Sequence, residues 1–240
     1  MDQKNKSLKF NFVMNIILTM SSFIFPLITF PYVSRVLLPV GTGKVSLATS
    51  VITYFSMFAQ LGIPTYGVRA CAKVRDDREK LSKMAQELLI INIIMSAISY
   101  IVLFILLFSV PKFRCEKELY VILSFTIILT SIGMEWLYKA LEQYTYITVR
   151  SVIFKFIALI AMFFLVHKQT DYVVYGGITI FAASASNILN LINAHKYIDL
   201  KPVGYYNFRQ HLKPVMIFFA MSCATTIYTN LDTVMLGFMT

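Results

Sequence analysis

LLIINIIMSAISYIVLFILLFSV, residues 88–110, contains no charged side chain. A helix needs about 20 mostly apolar residues to cross the hydrocarbon core of a bilayer, where every backbone polar group must be satisfied within the segment. An uncharged run of this length reads as a transmembrane helix, and it sets the class of the whole chain. The composition around it agrees. Of 240 residues, 58% are hydrophobic and 14% are charged, with a mean hydropathy of +0.69. Soluble domains run near about 45–50% apolar and about 25% charged. Twenty Phe and 14 Tyr against 12 acidic residues leave too little polar surface to clothe a water-soluble globule. The expected fold class is an all-α integral membrane protein.

Six more segments reach spanning length, so seven transmembrane helices are expected: 10–33, 43–63, 88–110, 120–138, 146–166, 173–194 and 214–239. The first is no cleaved signal peptide, because its apolar stretch is too long and carries Asn11, Asn15, Pro26 and Pro31 with no A-x-A site after it. The fifth is interrupted by Lys155, which must snorkel to be tolerated. With the N-terminus inside, the cytoplasmic side holds 15 Lys and Arg, among them Lys4, Lys6 and Lys9, against 6 outside. That bias predicts a cytoplasmic N-terminus.

Residues 64–87, PTYGVRACAKVRDDREKLSKMAQE, read as a basic amphipathic helix at the interface. Residues 195–213 read as a cytoplasmic linker. The expected organisation is a first six-helix lobe at 1–198, a linker at 199–213, and at 214–240 the first helix of a second, truncated lobe. A short internal echo fits a parallel repeat: Val36 and Leu38 fall on Val234 and Leu236 at a shift of 198 residues.

The formal net charge is +10 and the pI about 9.5. In a soluble chain this would suggest nucleic acid; here the basic residues collect in loops and mark topology. No nucleic-acid partner is expected. Cys71, Cys115 and Cys223 lie far apart, with neither metal-site nor disulfide-framework spacing.

Polar groups inside a membrane are costly, so their faces carry information. In the second span Ser46, Thr49, Ser50, Thr53, Ser56 and Gln60 recur at three- and four-residue steps, one stripe on a helix. In the sixth, Ser184, Asn187, Asn190 and Asn193 step by three after Gly176 and Gly177. Helix–helix packing explains such stripes as well as a polar cavity does. Thr49, Thr53, Gln60, Asn187 and Asn190 are the candidates for lining such a cavity. Arg69, Arg150 and Lys155 would give one end of a cavity a positive lining, and Arg donates two parallel hydrogen bonds to a phosphate. Against this, Arg150 and Lys155 could simply snorkel. Arg35 closes the first span, and Asp232 lies about 28 Å along the last helix from Lys213. Placed near equivalent outer ends, they are the candidate gate pair. Glu135 and Lys139 stand at i, i+4 beside Trp136 and Tyr138, the pattern of an interfacial ion pair in an aromatic belt.

No catalytic constellation is present. His167, His195 and His211 fall in expected loops without a partner Ser, Cys or Asp at useful spacing. No phosphate-binding Gly loop, G-x-S-x-G or H-E-x-x-H occurs. Neither an enzyme nor a cofactor nor a metal site is expected.

Four stretches resemble a known family. PYVSRVLLPVGTGKVSLA at 31–48 resembles the segment joining the first two helices of polysaccharide repeat-unit flippases, the O-antigen and capsule exporters. LGIPTYGVRACAKVRDDREKLSK at 61–83 resembles their cytoplasmic elbow, with Tyr66-Gly67 and Arg69 in a Tyr-Gly-x-Arg pattern. GMEWLYKALEQYTYITVRS at 133–151 resembles their fourth-to-fifth helix segment, and IYTNLDTVMLGFMT at 227–240 the start of their second lobe. One departure is Leu38-Pro39, where the family has Leu-Gly, so a stiffer turn is expected here.

The resemblance implies a superfamily that also holds multidrug and toxic-compound antiporters and the peptidoglycan-precursor flippase. It implies two six-helix lobes in a V around a central cavity, in a bacterial inner membrane. The implied substrate is a polyprenyl-pyrophosphate-linked oligosaccharide moved from the cytoplasmic to the outer leaflet, with the polysaccharide polymerase machinery as a further partner. A drug or metabolite cation antiporter would want a buried carboxylate deep in the first lobe. A membrane enzyme of polysaccharide assembly would want a large outer loop, and the outer loops here span about 9 residues or fewer.

Overall fold

The computed structural model describes residues 8–199, 201–202 and 204–239, and among them only helices and turns occur. Lys4, Lys6 and Thr240, which entered the sequence reading, lie outside the described residues. Ten α-helices follow in order: α1 (Leu8–Gln60), α2 (Ile63–Ala72), α3 (Arg78–Ser109), α4 (Pro111–Cys115), α5 (Lys117–Ile132), α6 (Glu135–Ala140), α7 (Tyr144–Leu165), α8 (Tyr172–Ile180), α9 (Asn187–Asn193) and α10 (Arg209–Met239). Six helical segments are long and apolar enough to cross a membrane, and the first of them contains two expected spans.

That first segment explains itself through one dipeptide. The 53 residues of α1 would run about 80 Å if straight, far beyond the hydrocarbon core. The chain turns at Leu38, whose φ of 57° and ψ of 175° leave the helical region. Pro39 disfavours helical backbone in the residue before it and has no N–H to continue the ladder. A non-glycine residue at positive φ is costly, so the turn is held by its surroundings. Pro26 and Pro31, expected to interrupt the first span, do not: Leu38 is the only residue of α1 with non-helical dihedrals.

Hydrogen bonds give the direction of each crossing. The first arm of α1 lies parallel to α7. Thr148 Oγ1 donates to the Met14 carbonyl at 2.9 Å, Lys155 Nζ to Ser21 Oγ at 2.9 Å, and Tyr32 Oη to the Val166 carbonyl at 2.8 Å. The second arm runs beside α5, with Lys44 Nζ 2.6 Å from Glu116 and Gln60 Nε2 3.4 Å from Thr130 Oγ1. α3 runs against α5, joined by Ser96 Oγ donating to Ser131 Oγ at 2.7 Å. α8 and α9 follow α5, with Leu119 against Gly176 and Asn187 against Gly133. α10 runs against the second arm, Phe218 and Phe219 meeting Gly62 and Gly237 meeting Leu47. The two arms of α1 and the five long segments after it thus alternate in direction, the expected seven crossings of a multi-pass membrane protein. One end of the bundle carries α2, α6 and the residues after α9, the linker end; the other carries the Leu38 turn.

Three boundaries differ from the sequence reading. The amphipathic segment 64–87 divides: α2 is only ten residues long, and Asp77 caps α3 by accepting from the Lys80 N–H at 3.1 Å, so 78–87 extend the membrane helix. The fourth span stops at Ile132, and Met134 at φ 44° starts α6 as a separate turn holding Glu135, Trp136 and Tyr138. The sixth span is interrupted by a π-helical turn at Phe181–Ala185, a geometry common at functional positions.

Glycine sets the closest approaches. A Cβ on Gly67 would lie 2.8 Å from the Trp136 ring, so α2 packs directly on α6 only because residue 67 has no side chain. Ile63, Cys71, Leu81, Leu88, Leu137 and Val215 form a buried apolar cluster at this end. Outward, Phe23, Leu27, Phe108 and Phe164 are more than 70% exposed, the surface expected against lipid acyl chains.

Candidate functional site

A polar cleft opens between the second arm of α1 and α10. Thr53, Ser56, Gln60, Gly62, Ser222 and Thr226 line it with Met57 and Pro64 around about 230 Å³. Thr53 donates to the Thr49 carbonyl at 2.8 Å, and Ser222 to the Phe218 carbonyl at 3.0 Å. Ser56 Oγ is buried with no hydrogen-bond partner. The predicted stripe on the second span is therefore divided. Ser50 is buried against the bundle, whereas Thr53 and Gln60 face the cleft and Thr49 is exposed one turn away.

Asn187 and Asn190 pack inside the first six crossings rather than lining this cleft. Asn187 rests against Gly133, where an added Cβ would meet it at 2.5 Å, and its Oδ1 lies 3.4 Å from Arg150 Nη1. Asn190 is fully buried: its carbonyl accepts from Tyr138 Oη at 2.5 Å, while both polar atoms of its amide lack partners. An unpaired buried amide costs about 1–3 kcal/mol.

The three candidate cations are held by three different sets of partners. Arg150 is 5% exposed; its Nη1 donates to the Ser186 carbonyl at 2.6 Å, and its Nη2 lies 4.0 Å from Glu135. It ties α7 to the start of α9. Lys155 does not snorkel: its ammonium donates to Ser21 and Ser22 Oγ at 2.9 and 2.8 Å and joins α7 to the first arm. Arg69 is exposed and stands over the Phe218 ring, 5.0 Å from its centroid. Since Phe218 also meets Gly62 of the cleft wall, Arg69 is the one of the three candidates that stands beside the cleft's linker end.

Arg35 and Asp232 are not brought together. Both are exposed, and Asp232 accepts from its neighbour Thr233 N–H at 2.8 Å. Arg35 lies just before the Leu38 turn. Asp232 sits five residues before Gly237, which faces Leu47, so it is level with the middle of the second arm rather than with its outer end. Distance from Lys213 alone misplaced it, because Phe218, and not Lys213, is level with Gly62 at the end of the second arm. Glu135 and Lys139 do form the ion pair their spacing predicts, at 2.7 Å.

The sequence reading missed the most heavily bonded polar group at the linker end. His211 was assigned to a loop; it lies in the first turn of α10 with its side chain fully buried. Its Nε2 is 2.6 Å from Glu87 Oε2, and its Nδ1 is 3.0 Å from Tyr66 Oη. Glu87, also 0% exposed, accepts in addition from Gln210 Nε2 at 2.8 Å and the Asn207 backbone N–H at 2.7 Å. An ionised Glu87 only accepts, so Nε2 carries a proton toward it, and Nδ1 faces the tyrosine hydroxyl, which can donate or accept. Gln86 beside it donates to the Asp199 carbonyl, and Tyr206 donates back to Gln86 Oε1 at 2.8 Å. The visible signal was a carboxylate directly abutting the longest apolar run; its partner lies 124 residues away.

Comparisons with known proteins place this geometry. The chain is similar to two proteins named "Putative O-antigen transporter". The one from Escherichia coli (strain K12) is 25% identical over 99% of this chain and 58% of its own length. The one from Shigella dysenteriae is 24% identical over 91% of this chain and 55% of its own length. The chain thus spans little more than half the length of these relatives. No solved structure matches it. The profile of the family described as polysaccharide biosynthesis protein matches residues 8–240, essentially the whole chain, and the chain belongs to that family.

Proposed function

We infer that this chain is part of a lipid-linked oligosaccharide flippase, which moves polyprenyl-pyrophosphate-linked polysaccharide repeat units from the cytoplasmic to the outer leaflet by alternating access. The observation that carries the reading is the polar cleft between the second arm and α10, in a chain whose relatives are named as O-antigen transporters. A repeat unit is a polar, anionic head on a tail that can remain in lipid, so it needs a hydroxyl- and amide-lined path through an apolar bundle. Thr53 and Gln60, with Thr49 a turn beyond, would meet sugar hydroxyls.

Among the cations, Arg69 is best placed to meet a pyrophosphate entering at the linker end. Arg150 and Lys155 already have protein partners and would act by shaping the bundle or by exchanging those partners for phosphate. Asn187 and Asn190 would reach sugar only if the lobe opened around them. Pairing of Arg35 with Asp232 at a gate would require α10 to move relative to the first arm. The basic-residue bias supports a cytoplasmic linker end in a bacterial inner membrane, and polymerase machinery on the outer side would receive the product.

Moving about two negative charges outward across 100 mV, inside negative, yields about 4–5 kcal/mol, enough to assist export without a coupling ion. Glu87, the buried carboxylate an antiporter would want, has both oxygens occupied by Asn207, Gln210 and His211, which leaves a cation little room.

The test is deletion of the gene followed by complementation. Lipid-linked oligosaccharide should accumulate on the cytoplasmic face in the deletion strain and clear when the wild-type gene is restored, but not with Thr53→Val/Gln60→Leu at equal protein abundance. Normal surface polysaccharide in the deletion strain would end the reading.

A further inference from the structure

We propose that the Glu87–His211–Tyr66 cluster is the fixed pivot of the step that opens the cleft toward the outer leaflet: in that step α10 stays bonded to α2 and α3 at the linker end and swings at the Leu38 end. The inference rests on the flippase reading for what the motion accomplishes, and on geometry for where the motion is anchored.

The argument is a contrast between the two ends of α10. At the linker end, the side-chain hydrogen bonds that α10 gives to other elements come from Gln210 and His211, among the described residues. The bonds from Gln210 Nε2 and His211 Nε2 converge on a carboxylate with no exposure, and Tyr66 meets the other nitrogen of the imidazole. The Glu87 and His211 side chains are fully buried, so sliding the helix by even one residue would strand Glu87 as an unpaired buried charge. The chain just before α10 is held to α3 as well, Asn207 by Glu87 and Tyr206 by Gln86.

At the Leu38 end the contacts are of another kind. Phe238 meets Phe113 edge-on with centroids 5.7 Å apart, and Gly237 lies on the Leu47 side chain. Lys112 stands 5.8 Å from the Phe238 ring. Ring and methyl contacts of this sort lose little when they shift, because no donor or acceptor is left unpaired. Between the two ends lies the polar cleft, lined from α10 by Ser222 and Thr226. A rotation about the linker end therefore widens the cleft toward the Leu38 end while its lower wall stays in place. Glu87, His211 and Tyr66 are positioning residues in this scheme and touch no substrate.

Pulsed electron–electron distance measurements on the full-length protein in liposomes test the pivot. The native cysteines are replaced (Cys71→Ala, Cys115→Ser, Cys223→Ser), and spin labels are placed in two separate proteins. One carries Lys73→Cys with Lys213→Cys near the cluster; the other carries Arg114→Cys with Met239→Cys at the far end. Distances are recorded with and without a membrane potential and with lipid-linked oligosaccharide in the bilayer. The near pair should give one narrow distance in every condition, while the far pair changes its mean or splits. A near pair that moves as much as the far pair, or a far pair as immobile as the near one, overturns the proposal.

Glu87→Gln and His211→Ala should each abolish the single narrow near-pair distance. Because either could misfold, Tyr66→Phe, which removes only the outermost bond, is measured beside them and should broaden the same distance. An unchanged near pair in all three variants also overturns the pivot. Oligosaccharide flux is read separately: absent flux in a wild-type protein whose far pair still moves would refute the transport reading and leave the pivot standing.

Discussion

Gly67→Ala should destabilise this protein even though alanine is the better helix former. Gly67 lies in the middle of α2, where replacing glycine with alanine favours the helix by about 1 kcal/mol. Opposing this, the added Cβ would stand 2.8 Å from Trp136 Cδ2 and Cε3 and 3.2 Å from its Cγ, inside any normal carbon contact. Trp136 is 3% exposed in the apolar cluster of the linker end and has no open side to retreat into. Relieving such a clash costs about 1–3 kcal/mol, so the net change is about 0–2 kcal/mol of lost stability.

Gly43 supplies the control. It lies in the second arm of α1, and a Cβ there meets nothing within 4 Å, so Gly43→Ala should stabilise by up to about 1 kcal/mol. Gly133 supplies the extreme: its Cβ would lie 2.5 Å from Asn187 Cβ and Cγ, and Gly133→Ala should be the worst of the three. Thermal unfolding of the purified variants in one detergent, followed by loss of monodispersity, should rank them Gly43→Ala, wild type, Gly67→Ala, Gly133→Ala. In a Trp136→Leu background, Gly67→Ala should cost less than it does alone. Equal melting of Gly43→Ala and Gly67→Ala would refute the reasoning, since helix propensity would then outweigh the packing of α2 on α6.

Arg150→Met should lower stability by about 1.5–3 kcal/mol, the worth of charge-assisted bonds to the Ser186 carbonyl and Asn187, seen as an earlier melt and lower membrane abundance; full abundance with lost flux would instead assign Arg150 to the substrate. Arg69→Gln should leave melting unchanged, because this exposed cation has only a ring contact, yet reduce oligosaccharide flux at equal abundance; unaltered flux would return Arg69 to marking topology. The Asp77 carboxyl is held below the usual carboxylate range by the Lys80 side chain and backbone N–H. Its contribution to the start of α3 is complete above the ordinary value and lost as pH falls through the lowered one. The protection factor of the Lys80 amide, the ratio of the unprotected exchange rate to the observed rate at the same pH, should therefore fall in acid, and in Asp77→Asn that fall should vanish.

Some of this protein was legible in one dimension. The run at 88–110, the Lys155 interruption and the Leu38-Pro39 pair report local requirements: length against bilayer thickness, the cost of charge in lipid, and the backbone a proline permits. Glu135 with Lys139 is local too, and its ion pair forms as the spacing demands. The Tyr-Gly-x-Arg stretch was visible as a pattern, but the reason for its glycine, a tryptophan 69 positions along, was not.

What the sequence by itself determined is the number and alternation of the crossings, because the bilayer imposes a spanning length on each segment separately. What only the tertiary structure decided is which polar groups face one another. Thr53 and Gln60 open to a cleft with α10 while Asn187 and Asn190 turn into the bundle, and Arg35 and Asp232 lie at different depths. Glu87 meets His211 across 124 residues, a pairing no periodicity encodes. The physical reason is that helix periodicity places a side chain on a face but not that face against a neighbour. The neighbour is chosen by close approaches such as Gly62, Gly67 and Gly133 and by the need to satisfy every buried donor and acceptor at once.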